Sequence, residues 1–348
     1  MMKHVRIYLL PLFLLLAACH ETEQVPETST IVISELIAET EQMPTSRAAN
    51  GEKIKFEDGD KIHVFGFYKS SPSPTRGTRF MPDVNYLTTS GIGLTYTYLN
   101  ESYNRGSRFR RTPTGGDPEV GFWRVGQYHD FTAYYFAGLR PTGEDQLFPM
   151  GTTGLPDEEL LWGEVMDLPY NGNAVIRPEI KFKHQLSRIR VELIHNMNDD
   201  VAEDFTITGL EVALNAERAK FNFAEGEWTD YSGTTIFTEL GLNKNLKDDI
   251  TPLEVTDITD NDWWVLPGCD IELTLHYTKE GSPVTQPVSF QNNITGESPT
   301  TKKGYITVLR LHINDVKPII FTVSLEDWDV EKHSGPGNEI VIDDDNEI

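Results

Sequence analysis

Alternation of apolar and polar residues restricts this chain more than any other feature of its sequence. Residues 271–277 and 319–325 carry an apolar side chain at every second position, which is the period of a strand with one buried face. Shorter segments of this kind recur from residue 61 onward, separated by long loops rich in Pro, Gly and Arg, and the first half holds no helical period of useful length. The sequence therefore predicts an all-β fold.

The length of 348 residues suits two domains rather than one. Strand patterns run from residue 61 to about residue 136, and a second series starts near Pro178. We predict two β-sandwich domains, at residues 48–177 and 178–332, followed by an acidic tail at 333–348. Within residues 180–193 the apolar positions change parity, which predicts a bulge or break near Ser187 and Arg188.

The N-terminus has the pattern of a lipoprotein signal. Lys3 and Arg6 precede an apolar run, which ends in Leu-Ala-Ala before Cys19. The run is too short to span a bilayer. We predict removal of residues 1–18 and acylation of Cys19, with an ordinary secretory signal as the alternative.

Residues 19–47 are predicted to form a polar tether and a first strand. The tether begins with an acidic segment similar to the surface-export signal of lipoproteins from gut and oral anaerobes. Arg47 follows in a segment with Pro, Ser, Asn and Gly, which predicts an exposed loop. No other Lys or Arg lies between Arg6 and Lys53. The strand is indicated by a short apolar run containing Ile31, Val32, Ile33 and Leu36.

Composition and motifs exclude several classes of function. A formal net charge of −24 argues against a nucleic-acid partner. The chain lacks Gly-x-Ser-x-Gly, Ser-x-x-Lys, His-Glu-x-x-His and a phosphate-binding loop, so we predict no enzymatic activity, no cofactor and no metal site. His184 is interpreted as a core histidine rather than a ligand or base, and Cys269 as a buried, inert thiol.

Two features leave glycan binding open as an alternative. Arg105, Arg108, Arg110 and Arg111 lie near Tyr103 and Phe109, which is either a contact surface for glycan or nucleic acid or a solvated loop. The six tryptophans are scattered through the strand pattern. We therefore expect them to pack in the core or between strands rather than to form a carbohydrate platform.

Several short motifs together resemble the fimbrillin (Mfa-like) family, the subunits and adhesins of type V pili in Gram-negative gut and oral anaerobes. The resemblance implies two tandem transthyretin-like β-sandwiches. Its motifs, in an order that covers nearly the whole mature chain, are the lipobox at Cys19, Ser46-Arg47-Ala48, residues 56–65, residues 182–187, residues 264–267 and residues 324–328.

The resemblance also implies a route of assembly. A lipoprotein precursor reaches the outer membrane, and an Arg-specific protease cuts between Arg47 and Ala48. The first strand is lost, and a neighbour's terminal strand fills the groove. In this chain the removed strand would contain Ile31, Val32, Ile33 and Leu36, and the candidate donor strand would contain Ile340, Val341 and Ile342.

The partners implied are other fimbrillin subunits, in a homo- or hetero-polymer, the outer membrane through the lipid, and a host or bacterial surface ligand. The protein would be lipid-anchored on the cell surface, and in the fimbrium once processed. Two readings remain beside this one: a non-polymerising anchored adhesin, in which Arg47 is an ordinary loop residue, and a surface glycan-binding lipoprotein. The acidic tail after Ile342 is expected to fill an apolar groove poorly.

Overall fold

The protein is nearly all β-strand, which confirms the predicted fold class. Within the part of the chain that is described, no helix is long and apolar enough to cross a membrane. A short helix, α1, spans Leu246–Asp249, and the side chain of Asn245 caps its start. The computed structural model describes residues 28–29, 35–40, 56, 59–81, 94–99, 108–111, 123–136, 141–150, 159–172, 178–197, 202–259, 262–290, 298–314 and 319–327.

The strands are numbered in chain order. They are β1 (Thr28–Ser29), β2 (Glu35–Thr40), β3 (Lys61–Lys69), β4 (Thr78–Met81), β5 (Leu94–Leu99), β6 (Arg108–Arg111), β7 (Trp123–Arg124), β8 (Gln127–Phe136), β9 (Asp145–Pro149), β10 (Leu160–Tyr170), β11 (Glu179–His184), β12 (Ser187–Asn196), β13 (Phe205–Leu214), β14 (Arg218–Asn222), β15 (Glu227–Ser232), β16 (Thr235–Asn245), β17 (Thr256–Asp257), β18 (Trp263–Val265), β19 (Ile271–Lys279), β20 (Ser282–Phe290), β21 (Tyr305–Asn314) and β22 (Ile320–Asp327).

The first sheet closes on itself. Its strands follow the order β4-β3-β5-β6-β2-β11-β10-β8. Strand β3 also pairs with β8, from His63↔Tyr134 to Lys69↔Tyr128, so the path from β3 through β2 returns to β3. One hydrophobic cluster, which we call the first core, comprises Phe56, Ile62, Val64, Phe80, Trp123, Phe131, Ala133, Tyr135, Leu161, Tyr170, Ile180 and Phe182.

The second sheet lies in the other half of the chain. Its order is β16-β13-β19-β20-β22-β21-β12-β17, and β18 pairs with the remaining part of β12. Strands β12 and β21 run parallel, from Arg188↔Ile306 to Asn196↔Asn314. Burial along β19 alternates as the sequence predicts, with Ile271, Leu273 and Leu275 buried. These residues belong to the larger hydrophobic cluster, which we call the second core.

Strands β3 and β8 are buried on both faces. Ile62 and Val64 lie in the first core, whereas Phe65 and Phe67 of the same strand lie in the second. A strand covered on both sides has a continuous apolar run instead of an alternating one. The second core therefore extends across one face of the first sheet and joins the two halves.

The predicted break in strand parity marks the passage from one sheet to the other. Strand β11 ends at His184 in the first sheet, and β12 starts at Ser187 in the second. Gln185 and Leu186 connect them and are both buried. The break therefore lies slightly before the predicted position. The parity changes because each strand buries its apolar residues in a different core.

A third, smaller sheet bridges the halves. It has the order β15-β14-β9, with β9 from the first half and the β14–β15 hairpin from the second. The indole Nε1–H of Trp162 donates to the backbone oxygen of Phe223 at 3.0 Å. Gly226 closes the hairpin with φ of +72°, and a Cβ there would lie 2.5 Å from the Trp162 ring. Glycine thus allows the hairpin to dock on β10.

Candidate functional site

Strand β2, which precedes Arg47 in the chain, is an integral member of the first sheet. Strand β2, residues 35–40, pairs in parallel with β11, from Glu179↔Ile37 to Phe182↔Thr40. On its other side it pairs antiparallel with β6, at Glu35↔Arg110 and Leu36↔Phe109. We call this position, between β6 and β11, the β2 slot.

The β2 slot borders the first core. Strand β11 alternates between exposed and buried residues, and its buried Ile180 and Phe182 are the register partners of Ala38 and Thr40 in β2. The Phe182 ring contacts Phe56 edge-on, with centroids 5.3 Å apart. Burial of such a side chain stabilises a fold by roughly 1.5–3 kcal/mol, so the wall next to β2 contributes to the stability of the first sheet.

Strand β10 supports β11 from the side opposite β2. The two strands pair antiparallel, from Leu161↔His184 to Glu164↔Lys181. At Gly163 an added Cβ would lie 2.3 Å from the Lys181 backbone oxygen and 2.8 Å from the Ile180 side chain. The absence of a side chain at Gly163 allows this close approach, and β11 is held in place independently of β2.

A strand in this position carries hydrogen bonds on both edges. Without β2, the closed path of the described strands would open between β6 and β11, and both strands would present unpaired N–H and C=O groups. The same loss would take away Ala38 and Thr40, the register partners of the buried Ile180 and Phe182. An extended segment with apolar residues at alternate positions satisfies both needs, as in β-strand addition.

The predicted strand overlaps the observed one at Leu36. The predicted run starts at Ile31, whereas β2 begins at Glu35 and includes Leu36; Ile31, Val32 and Ile33 lie outside the described residues. The other predicted site residues also lie outside the described part of the chain. They are the lipidation residue Cys19, the processing residues Arg47 and Ala48, and the candidate donor residues Ile340, Val341 and Ile342.

The reading of the arginine-rich segment as an exposed loop is wrong for residues 108–111. They form strand β6, which pairs with β2 and, through Leu99↔Arg108 to Tyr96↔Arg111, with β5. The composition of β6 does not predict a strand, because three of its four residues are arginines. Its place beside the β2 slot depends on partners distant in sequence, which local composition does not reveal.

Buried charge near the sheet crossover confirms that His184 is a core histidine. Its Nδ1 lies 2.7 Å from Oε1 of Glu159, and both side chains are almost fully buried. Close by in sequence, Arg188 and Arg190 both lie 2.8 Å from the carboxylate of Asp262. Sequence reasoning did not find Glu159 or Asp262, because each finds its partner through the tertiary fold.

Cys269 is buried, as predicted. Burial raises the pKa of its thiol to about 12, opposed by a hydrogen bond with Thr301. Such a thiol stays protonated and unreactive at neutral pH. Among the described residues, no group of three or more His, Cys, Asp or Glu side chains is placed to hold a metal ion.

The described tryptophans pack within the protein, as predicted. Trp123 and Trp264 are buried in the first and second cores. Trp162, Trp228 and Trp263 are partly buried against the second core, and the Trp228 indole N–H donates to the Gln185 backbone oxygen at 3.1 Å. These five side chains therefore give no support to a carbohydrate platform.

Comparison with known proteins gives one family and a set of similar structures. The model of the family described as fimbrillin-like matches residues 46–328. No curated protein matches the chain. Among solved structures, a fimbrial protein from Bacteroides vulgatus is 16% identical, with 85% of this chain and 99% of that one covered and a TM-score of 0.46.

Two further solved structures give similar values. A fimbrilin from Porphyromonas gingivalis is 10% identical, with a TM-score of 0.42 and coverage of 86% of this chain and 99% of that one. A candidate cell adhesion protein from Bacteroides uniformis is 17% identical, with a TM-score of 0.45 and coverage of 85% and 97%.

Proposed function

This chain belongs to the fimbrillin-like family, and on that premise we propose that it is a structural and adhesive pilus subunit assembling by donor-strand addition. The observation that carries the proposal is the position of β2. This strand precedes Arg47 in the chain, yet it fills a slot inside a closed sheet whose other strands all follow Arg47.

A cut between Arg47 and Ala48 would separate β2 from the rest of the sheet. The pairing of β2 with β6 and β11 then becomes a contact between two chains, and a strand from another subunit can compete for the β2 slot. Hydrogen bonding along both edges and contact with Ile180 and Phe182 would favour such a replacement. We infer that β2 holds the slot until assembly.

The N-terminal sequence supports a membrane anchor and a location on the cell surface. Acylation of Cys19 would hold the precursor at the outer membrane facing outward, and cleavage after Arg47 would release the body into a fimbrium. Stable anchoring needs two or more lipid chains or a second attachment, which the modified cysteine of a lipoprotein provides. Partners are other fimbrillin subunits and a host or bacterial surface ligand, and the proposal involves no catalysis.

Digestion with an Arg-specific protease tests the proposal. We expect the first cut after Arg47, a body that begins at Ala48, and oligomers that grow with protein concentration in light scattering. Arg47→Ala should stay full length and monomeric. Arg218→Ala, which removes an exposed arginine in β14, is the matched control and should behave as wild type. A cut body that remains a monomer and accepts no strand peptide would show a non-polymerising anchored adhesin instead.

A further inference from the structure

The neighbours of β2 carry positive residues at the register positions of its two acidic residues. Glu35 is the partner of Arg110 in β6, and Glu39 is the partner of Lys181 in β11. Opposite charges that face each other across two strands stabilise the pair, and like charges destabilise it. The native occupant of the β2 slot therefore matches the charge of the slot on both sides.

Lys181 belongs to a wider row of alternating charge. Its partner on the other side, in β10, is Glu164, and Glu164 accepts a hydrogen bond from Nη2 of Arg76 at 2.8 Å. Across these elements the order is Arg76, Glu164, Lys181 and Glu39. A basic residue at position 39 would face Lys181 directly and break the alternation.

We propose that Arg110 and Lys181 determine which strand the β2 slot accepts, by selecting a segment with acidic residues at its first and fifth positions. This inference rests on the proposed strand exchange. The occupant it identifies is residues 339–344 of a second copy of this chain. That segment reads Glu-Ile-Val-Ile-Asp-Asp, and β2 reads Glu-Leu-Ile-Ala-Glu-Thr. In this register Glu339 would take the place of Glu35, the partner of Arg110, and Asp343 would take the place of Glu39, the partner of Lys181.

The charges also select the register. A slip by one residue would exchange the two faces of the donor strand. A slip by two residues would put Val341 opposite Lys181 in one direction and opposite Arg110 in the other. The in-phase register alone places both acidic residues opposite basic ones and keeps Ile340 and Ile342 at the positions of Leu36 and Ala38. Acidic residues make the tail unsuited to an apolar groove. In this proposal Glu339 and Asp343 are the residues by which Arg110 and Lys181 recognise it.

Peptide binding to the protein cut after Arg47 tests the selection. The probe is the peptide of residues 335–348, compared with its Glu339→Lys/Asp343→Lys form. The matched control, Asp345→Lys/Glu347→Lys, has the same net charge but changes positions beyond the slot. We expect the first variant to bind about tenfold more weakly than wild type and the control to stay within about threefold. Acceptor Lys181→Glu should restore binding of an Asp343→Lys peptide.

The outcomes separate the two proposals. If the three peptides bind equally, or if both variants lose affinity equally, charge selection by Arg110 and Lys181 is wrong while strand addition stands. If no peptide binds the cut protein, both proposals are wrong.

A second arm uses the uncut chain and does not depend on cleavage. Glu39→Lys and Lys181→Glu should each speed hydrogen exchange of the β2 amides by about three- to tenfold, because each places like charges opposite one another. The double variant should recover part of the wild-type protection, because it restores opposite charges between β2 and β11 while the substituted residue 181 still lies opposite Glu164. Additive effects of the two substitutions would contradict the charge pairing.

Discussion

At the scale of single residues, burial controls the protonation of two histidines in the first sheet. His63 stacks on Tyr134 with ring centroids 4.9 Å apart, and burial, helped by the charge of Lys61, lowers its pKa from 6.5 to about 3. His129 is fully buried and accepts a hydrogen bond from the Arg124 N–H at 3.0 Å. Burial is also the main cause that lowers its pKa to about 4.

These pKa shifts predict sensitivity to acid. Between about pH 6.5 and pH 4 the unfolded chain binds protons at these histidines and the folded chain does not, so the free energy of unfolding falls as pH decreases. Each histidine contributes up to about 1.4 kcal/mol per pH unit. His63→Phe keeps a ring against Tyr134 and should reduce the slope by one such contribution in urea denaturation. Above pH 7.5 the slopes of variant and wild type should agree, and an unchanged acid slope would contradict the assignment.

A buried lysine fixes a loop to the first sheet. The Nζ of Lys69 lies 2.9 Å from the carboxylate of Asp130 and 2.8 Å from that of Asp167, and it donates to the Ser73 backbone oxygen at 2.6 Å. The Asp130 side chain is fully buried. The ammonium group therefore both compensates this carboxylate and ties residues 70–75 to β8 and β10.

Removal of the Lys69 charge should be strongly destabilising. Lys69→Met leaves the Asp130 carboxylate buried without its cation, which typically costs about 3–5 kcal/mol. The matched control is Lys220→Met. The Nζ of Lys220 also lies 2.8 Å from a carboxylate, that of Asp230, but both side chains are about half exposed. There we expect a change within about 1 kcal/mol. Equal midpoints for the two variants in urea denaturation would refute the role of burial.

At the scale of elements, the sequence predicts strands well and their partners poorly. The alternation in β19 and the parity change before Ser187 both follow from which side chains are buried, and both are legible locally. The composition of β6, with three arginines in four residues, does not predict a strand, and its extended conformation comes from pairing with β2 and β5. The β2 slot depends on two pairings between distant parts of the chain, Glu35 with Arg110 and Glu39 with Lys181. The periodicity of a single sequence does not reveal such long-range pairing.

The docking of the β14–β15 hairpin depends on a glycine. Gly226→Ala combines a positive φ with a Cβ that would lie 2.5 Å from the Trp162 ring. Gly241 also has a positive φ, of +81°, but nothing lies within 4 Å of its added Cβ. Gly241→Ala should therefore cost about 1 kcal/mol for the backbone alone, and Gly226→Ala should cost clearly more. Thermal denaturation compares the two, and equal losses would mean that the hairpin moves away freely.

At the scale of the whole molecule, the second core connects the sheets of the two halves, whereas the first core lies within the first sheet. The second core extends through the second sheet and the bridging sheet to one face of β3, β8 and β10. Phe148 of β9, for example, contacts Trp228 of β15 with ring centroids 5.1 Å apart. Strand β11, next to the β2 slot, contributes Ile180 and Phe182 to the smaller first core. The slot thus lies on the side of the first sheet that the second half does not reinforce.

This arrangement predicts an order of opening in the intact protein. Strand β2 pairs with β11 through four residue pairs and with β6 through two, whereas β12 pairs with β21 through nine and lies in the second core. Segments with fewer hydrogen bonds and less buried surface open at lower free energy. In native-state hydrogen exchange we expect the β2 amides to exchange at least about tenfold faster than those of β12, a difference of about 1.4 kcal/mol. Equal protection of β2 and β12 would mean that β2 opens only with global unfolding, and a neighbour's strand could then not displace it from a folded subunit.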